Sequence, residues 1–144
     1  MAEYIPSTEG WVRDQVELYE GSGGVEGSTL RETGLECIIV TMVGKKSGAI
    51  RKVPLMRVED SGSYVLIGSR GGNPKNPVWV YNLRANPDVD IRDKTEVSRM
   101  RVREVEDDPE RQRLWDISAE AFPPYLEYQA KTSRKIPVFI AEPV

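Results

Sequence analysis

The 144-residue chain contains no histidine and a single cysteine, Cys37. Without an imidazole, and with one thiol, it cannot assemble the usual zinc sets, histidine-ligated haem, or triads built on Ser and His or Cys and His. Most hydrolase chemistry is thereby excluded, as is an intramolecular disulfide. Cys37 lies in the apolar run Cys37, Ile38, Ile39, Val40, where a thiol reads as a small buried hydrophobe. No stretch approaches the ~18 apolar residues that a membrane span needs. The opening Met1, Ala2, Glu3, Tyr4 lacks both the basic and the apolar region of a secretory signal. The expectation is a cytoplasmic protein. No repeat at a solenoid period is visible either.

What is present is ordinary for a soluble globular chain: 39% hydrophobic, 30% charged, formal net charge -3. The charge is uneven along the sequence. Glu9, Asp14, Glu17, Glu20, Glu26, Glu32 and Glu36 make the first part acidic, and Lys45, Lys46, Arg51, Lys52, Arg57, Arg70 and Lys75 make the next part basic. The basic part centres on Gly44, Lys45, Lys46, Ser47, Gly48, Ala49, Ile50, Arg51, Lys52, a turn between two apolar segments. Such a turn can wrap backbone N–H groups and cationic side chains around a phosphate or a run of carboxylates. The same composition also suits a plain exposed hairpin, in which glycine relieves strain and lysine keeps an edge soluble.

Spacing predicts a helix over Trp11–Tyr19, ended by Gly21, Ser22, Gly23, Gly24. Three strands follow, Leu35–Val43, Val53–Glu59 and Tyr64–Ile67, read as an antiparallel meander. After the turn formers Ser69 to Pro74, Asn76 reads as an N-cap and Pro77 as the first residue of a helix over Val78–Asn86. Two further strands, Val89–Ile91 and Val97–Val105, precede a helix over Asp107–Phe122 with Leu114, Ile117 and Ala121 facing inward. A helical piece over Tyr125–Ala130 and a strand over Pro137–Ile140 complete the chain. This predicts an α+β fold, either a small, mostly antiparallel barrel or an open sandwich. The chain divides into residues 1–34, a helix and Gly-rich hinge, and residues 35–144, a single ligand-binding barrel domain.

Taken together and in order, Trp11–Val16, Gly23 with Gly24, Gly44–Gly48, Arg51 with Pro54 and Leu55, Gly71 with Gly72, and Lys75–Trp79 followed by Asn82, Leu83, Ala85, Asn86 and Pro87 resemble the deazaflavin-dependent nitroreductase family. The resemblance runs from about Trp11 to the C-terminus. It implies a split β-barrel with short flanking helices, and a cytoplasmic actinobacterial reductase that passes a hydride from reduced coenzyme F420 to a quinone or another activated acceptor, in some members a nitro compound. It also implies where the cofactor lies: on Lys45, Lys46 and Ser47, on Arg51, Lys52, Val53, Pro54, Leu55 and Met56, on Ile67, Gly68, Ser69 and Arg70, on Val78, Trp79, Val80, Tyr81 and Asn82, and near Tyr125. Ser69, Tyr125 and Tyr128 would meet the acceptor. Each has a plainer reading, since Ser69 starts a loop and Trp79 and Tyr125 suit a core.

Phe122 and Met56 stand where the nitroreductase has tyrosines. The pocket is therefore expected to favour an apolar quinone over a bicyclic nitroimidazole. Two other functions fit the basic turn: a non-catalytic deazaflavin-binding module, and a split-barrel enzyme using FMN. No nucleic-acid partner is expected. The Trp11–Tyr19 helix suits either packing on its own barrel or weak association with a membrane surface, which Asp14, Glu17 and Glu20 oppose.

Overall fold

The computed structural model describes residues 3–30 and 33–144, so Met1, Ala2, Arg31 and Glu32 lie outside the described residues. Helix α1 (Gly10–Gly21) precedes the hairpin of β1 (Cys37–Val43) and β2 (Ile50–Met56). The short hairpin β3 (Glu59–Asp60) and β4 (Ser63–Ile67) leads through a single 3-10 turn, Arg70–Gly72, into α2 (Val78–Ala85). Strands β5 (Asp88–Asp93) and β6 (Glu96–Glu104), helices α3 (Asp108–Ala121) and α4 (Pro124–Lys131), and strand β7 (Val138–Pro143) follow. All of the strands form one sheet in the order β2-β1-β5-β6-β7-β4-β3, and every pairing is antiparallel. The sheet curls into a half-barrel, the mostly antiparallel architecture that the resemblance implies.

The predicted meander holds for its first turn only. β1 pairs with β2 over the whole length from Cys37↔Met56 to Val43↔Ile50, but β4 pairs with β3 and β7, not with β2. Val65, Leu66 and Ile67 are all buried, so β4 needs cover on both faces and sits inside the sheet beside the equally apolar β7. Local alternation does not reveal such a distant partner.

The consecutive strands β2 and β3 therefore occupy opposite ends of the strand order. The chain between β2 and β3 joins those ends: Arg57 N–H donates to the Glu36 carbonyl (3.0 Å), and Val65 N–H donates to the Val58 carbonyl (2.8 Å). The join is reinforced at Asp93, whose carboxylate accepts from Arg57 Nε (2.9 and 3.0 Å) and from the Tyr64 hydroxyl (2.6 Å).

Two apolar clusters flank the sheet. One gathers Ile38, Val40, Leu66, Phe139 and Ala141 with Trp79, Val80 and Leu83 of α2. The other gathers Met56, Val65, Ile67, Val138 and Ile140 with Leu114 and Trp115 of α3 and Tyr125 of α4. The inward face of α3 is Leu114, Trp115, Ser118 and Ala119, whereas Ala121, expected inside, is exposed.

Helix α1 packs on the sheet through Val16 and Tyr19 against Cys37 and Ile39. The fully buried Tyr19 donates to the Cys37 carbonyl (3.1 Å) and accepts from Lys94 N–H (2.7 Å). Gly24 follows at φ +89, where a Cβ would lie 1.8 Å from the Lys94 carbonyl oxygen. Only glycine lets the chain pass there. The apolar face of α1 is thus turned to β1. No described helix is long and apolar enough to cross a membrane.

Candidate active site

The basic turn between β1 and β2 is stitched internally. Gly44 N–H donates to the Ala49 carbonyl (2.7 Å), and Gly48 N–H to the Gly44 carbonyl (3.0 Å). The Ser47 hydroxyl accepts from Ala49 N–H (3.1 Å). The turn is tied to the rest of the fold by Lys45 N–H, which donates to Asn82 Oδ1 of α2 at 2.9 Å. Asn82 is buried. These bonds fix the backbone and leave the side chains of Lys45, Lys46 and Ser47 exposed.

Side-chain alternation on β2 divides the residues that the sequence groups as one site. Val53 and Leu55 pack toward the cluster beneath α2, which places Arg51 on that face too. Lys52, Pro54 and Met56 take the opposite face. Lys52 pairs with Glu20 of α1 and lies 4.9 Å over the Tyr4 ring, so its charge is engaged by the N-terminal segment. Met56 joins Ile67 and Tyr125 in the second cluster.

The other expected residues fall on α2, on the loop before it and on α4. Val78 and Tyr81 are exposed on α2, whereas Trp79 and Val80 belong to the core. The Trp79 ring sits 5.9 Å from that of Phe139, so these two support the helix from below. Gly68 is buried against Val80, whose Cγ2 would lie 2.8 Å from a Cβ there. Ser69 is 9% exposed. Its carbonyl accepts from Gly72 N–H (2.9 Å) and from Arg134 Nη2 (2.7 Å). Asn76 is not the cap of α2, which starts after an extended Pro77. The Asn76 Oδ1 accepts from Arg134 Nη1 instead (2.7 Å).

Tyr125 is buried, with its ring edge-on to Phe122 at 5.0 Å and near Trp115 (6.2 Å) and Tyr128 (6.3 Å). Burial pushes its phenol well above the ordinary tyrosine range, with a smaller contribution from Tyr128. Tyr128 and Phe122 are half-buried, forming the outer part of the same aromatic group. Arg134 is the residue that sequence reading missed. It lies in the α4–β7 connection, and the acceptors it holds are 58 to 66 residues away.

The cations without a carboxylate partner are concentrated, though not exclusively, on the basic turn with the start of β2 and on the loop before α2. Among the described residues, Lys52, Arg57, Arg84, Arg92, Lys94, Arg99, Arg101, Arg103 and Arg113 have a carboxylate oxygen within 4.0 Å. Lys45 and Lys46 on the turn with Arg51 at the start of β2, and Arg70 and Lys75 on the loop before α2, have none; Arg13, Arg111, Lys131, Arg134 and Lys135 also lack one but are scattered or engaged elsewhere. No described group of acidic, cysteine or histidine side chains could hold a metal ion. The arrangement can therefore receive an extended anion beside an apolar wall, and it supplies no acid–base dyad.

A sequence model described as F420H(2)-dependent quinone reductase matches residues 11–143. The F420H(2)-dependent quinone reductase Rv1261c of Mycobacterium tuberculosis is 34% identical over 125 residues, covering 85% of this chain and 83% of its own length. A solved F420-H2 dependent reductase, FDR-A, is 48% identical, with TM-score 0.69 over 74% of this chain and 93% of that one. A second solved chain, described as a domain-swapped dimer, is 44% identical, with TM-score 0.72 over 92% of this chain and 97% of that one.

Proposed function

We infer from a chain that belongs to the F420H(2)-dependent quinone reductase family that this protein transfers a hydride from reduced coenzyme F420 to a quinone. The observation that carries the reading is the set of uncompensated cations, Lys45, Lys46 and Arg51 on the turn and the start of β2, and Arg70 and Lys75 on the loop before α2. Elsewhere on the described surface, most cations have carboxylate partners. A cofactor tail bearing a phosphodiester and carboxylates fits that donor set.

Reduced F420 supplies the hydride when bound, so the chain's own task is to bind, orient and exclude water. Lys45, Lys46 and Arg51 attract and hold the tail, with the backbone fixed in advance by Asn82 so that little order is lost on binding. Val53, Leu55 and the Gly68–Ser69 segment line the ring with apolar and small groups. Ser69 and Tyr128 face the acceptor, and Tyr125, packed beneath Tyr128, holds the aromatic lid in place. With Phe122 and Met56 apolar, the lid offers few hydrogen bonds to a nitro group, which favours a quinone.

The test is whether purified protein oxidises the reduced deazaflavin when menadione is added, followed by the return of deazaflavin absorbance. Oxidation that depends on both protein and menadione is expected. Tight deazaflavin binding without menadione-dependent oxidation would identify a binding module and overturn the enzymatic reading.

A further inference from the structure

One guanidinium holds most of the loop that leads from β4 into α2. Arg134 donates through Nε to the Asn73 carbonyl (2.8 Å), through Nη1 to the Gly68 carbonyl (3.1 Å) and Asn76 Oδ1 (2.7 Å), and through Nη2 to the Ser69 carbonyl (2.7 Å). Among the described residues no carboxylate lies within 4.0 Å of it. Its charge is met by oxygen dipoles that all belong to this one loop. Arg134 is itself anchored: its carbonyl accepts from Gln129 Nε2 of α4 (2.8 Å), and the Gln129 Oε1 accepts from Ile136 N–H (3.1 Å).

The segment so held is strained. Arg70 has φ +45 and is followed by Gly71 at +62 and Gly72 at +81, a left-handed run that a non-glycine residue enters only when its surroundings impose it. The run is pressed onto the lid helix. A Cβ at Gly72 would lie 2.8 Å from the Tyr128 carbonyl oxygen and 3.0 Å from the Tyr128 Cα. The loop that would line the cofactor ring and the helix that carries Tyr125 and Tyr128 thus touch backbone to backbone.

We propose that Arg134 is a positioning residue that locks the Gly68–Asn76 loop onto α4, fixing the cofactor loop and the acceptor lid relative to each other. The role rests on the reductase reading of the site. Hydride transfer is sensitive to the separation and angle of its two partners, so a loosened joint lowers turnover even in a protein that remains folded. Lysine is a poor substitute, because an ammonium offers three donors from one point in place of a planar fork.

The experiment compares wild type, Arg134→Lys and Arg134→Ala by thermal melting, hydrogen–deuterium exchange of the cofactor-free protein, deazaflavin titration and menadione kinetics. For folded Arg134→Lys we expect faster exchange in residues 68–76 and α4, with α1 and the β5–β6 hairpin unaltered. We also expect kcat with menadione to fall about tenfold or more, with a smaller change in deazaflavin Kd, as the loss of a forked charge-assisted set implies. Unchanged exchange in residues 68–76 overturns the lock. Faster exchange with kcat and Kd within about twofold of wild type overturns the positioning role and leaves a purely structural one. If wild type itself neither binds deazaflavin nor responds to menadione, the reductase reading fails, and the exchange data still decide whether the loop is locked.

Discussion

The backbone N–H of Lys45 and the side-chain oxygen of Asn82 meet at 2.9 Å across 37 residues of sequence, joining the basic turn to α2. Asn82 is buried with its amide nitrogen 3.8 Å from the Met42 sulfur, so both ends of the amide are engaged. The turn is therefore built before any ligand arrives. Asn82→Ala should lower stability by ~1–2 kcal/mol, the cost of an unmade hydrogen bond with a small void, and weaken deazaflavin binding as well. Urea denaturation and fluorescence titration of the same variant check the two effects. Unaltered deazaflavin affinity would dissociate the turn from the site.

Charge on the turn gives a second test. Lys46 is exposed and has no described carboxylate partner, whereas Lys52 on the next strand is paired with Glu20. Lys46→Glu should weaken deazaflavin binding and flatten its dependence on salt, because a long-range attraction has been reversed. Lys52→Ala should leave the salt dependence unchanged and act instead on the seating of α1. A titration series over ionic strength separates the two variants.

Cofactor choice follows from the extent of the basic surface. Lys45, Lys46, Arg51, Arg70 and Lys75 offer more positive charge than one FMN phosphate engages, so the carboxylate-bearing deazaflavin should bind more tightly under matched conditions. Calorimetry with both ligands checks this, and tighter FMN binding would favour an FMN enzyme of the same fold.

The aromatic lid predicts a split between stability and catalysis. Tyr125→Ala empties a buried site flanked by Trp115, Phe122 and Tyr128, and should cost ~3–5 kcal/mol. Tyr125→Phe preserves the packing and should melt close to wild type. Burial keeps the phenol protonated through the neutral range, so Tyr125 should add no pH dependence to kcat/KM there. Menadione should be reduced efficiently, and bicyclic nitroimidazoles weakly or not at all. Equal turnover of the two acceptors would mean that Met56 and Phe122 do not define the pocket.

Alkaline stability tests the join of the sheet. Tyr64 titrates above its ordinary range because of burial first, then its hydrogen bond to Asp93 and the charge of that carboxylate. An acid whose folded pKa is raised contributes stability that is complete below the unfolded value, ~10 for tyrosine, and is lost as pH rises through the folded one. Tyr19 and Tyr125 are shifted the same way by burial. Urea midpoints should therefore fall at strongly alkaline pH, and Tyr64→Phe should blunt the fall. An identical alkaline profile in that variant would remove Tyr64 from the linkage.

How far the sequence spoke for itself depended on distance along the chain. The β1–β2 hairpin was legible because its turn lies between two runs of matching alternation, and the family resemblance named the cofactor from spaced local patterns. The place of β4 was not legible, since its partner β7 begins 71 positions further on. Asn76 looked like a helix cap by residue type, but the competing demand of Arg134 is set by the tertiary fold. Leu114 and Ile117 do face the second cluster, but Ala121 satisfied the same helical period and is exposed, while the buried stripe of α3 runs along Leu114, Trp115, Ser118 and Ala119. The exposure of the last turn is invisible until the neighbouring α4 is in place.

The seating of α1 on β1 also gives this molecule a built-in reporter. Cys37, the single thiol, is 1% exposed beneath Val16 and Tyr19, and burial raises its pKa to about 12. An aqueous thiol reagent can label it only after the helix has lifted from the sheet. The labelling rate in native buffer therefore times the opening of the N-terminal segment directly, with no engineered probe and no second cysteine to confuse the signal.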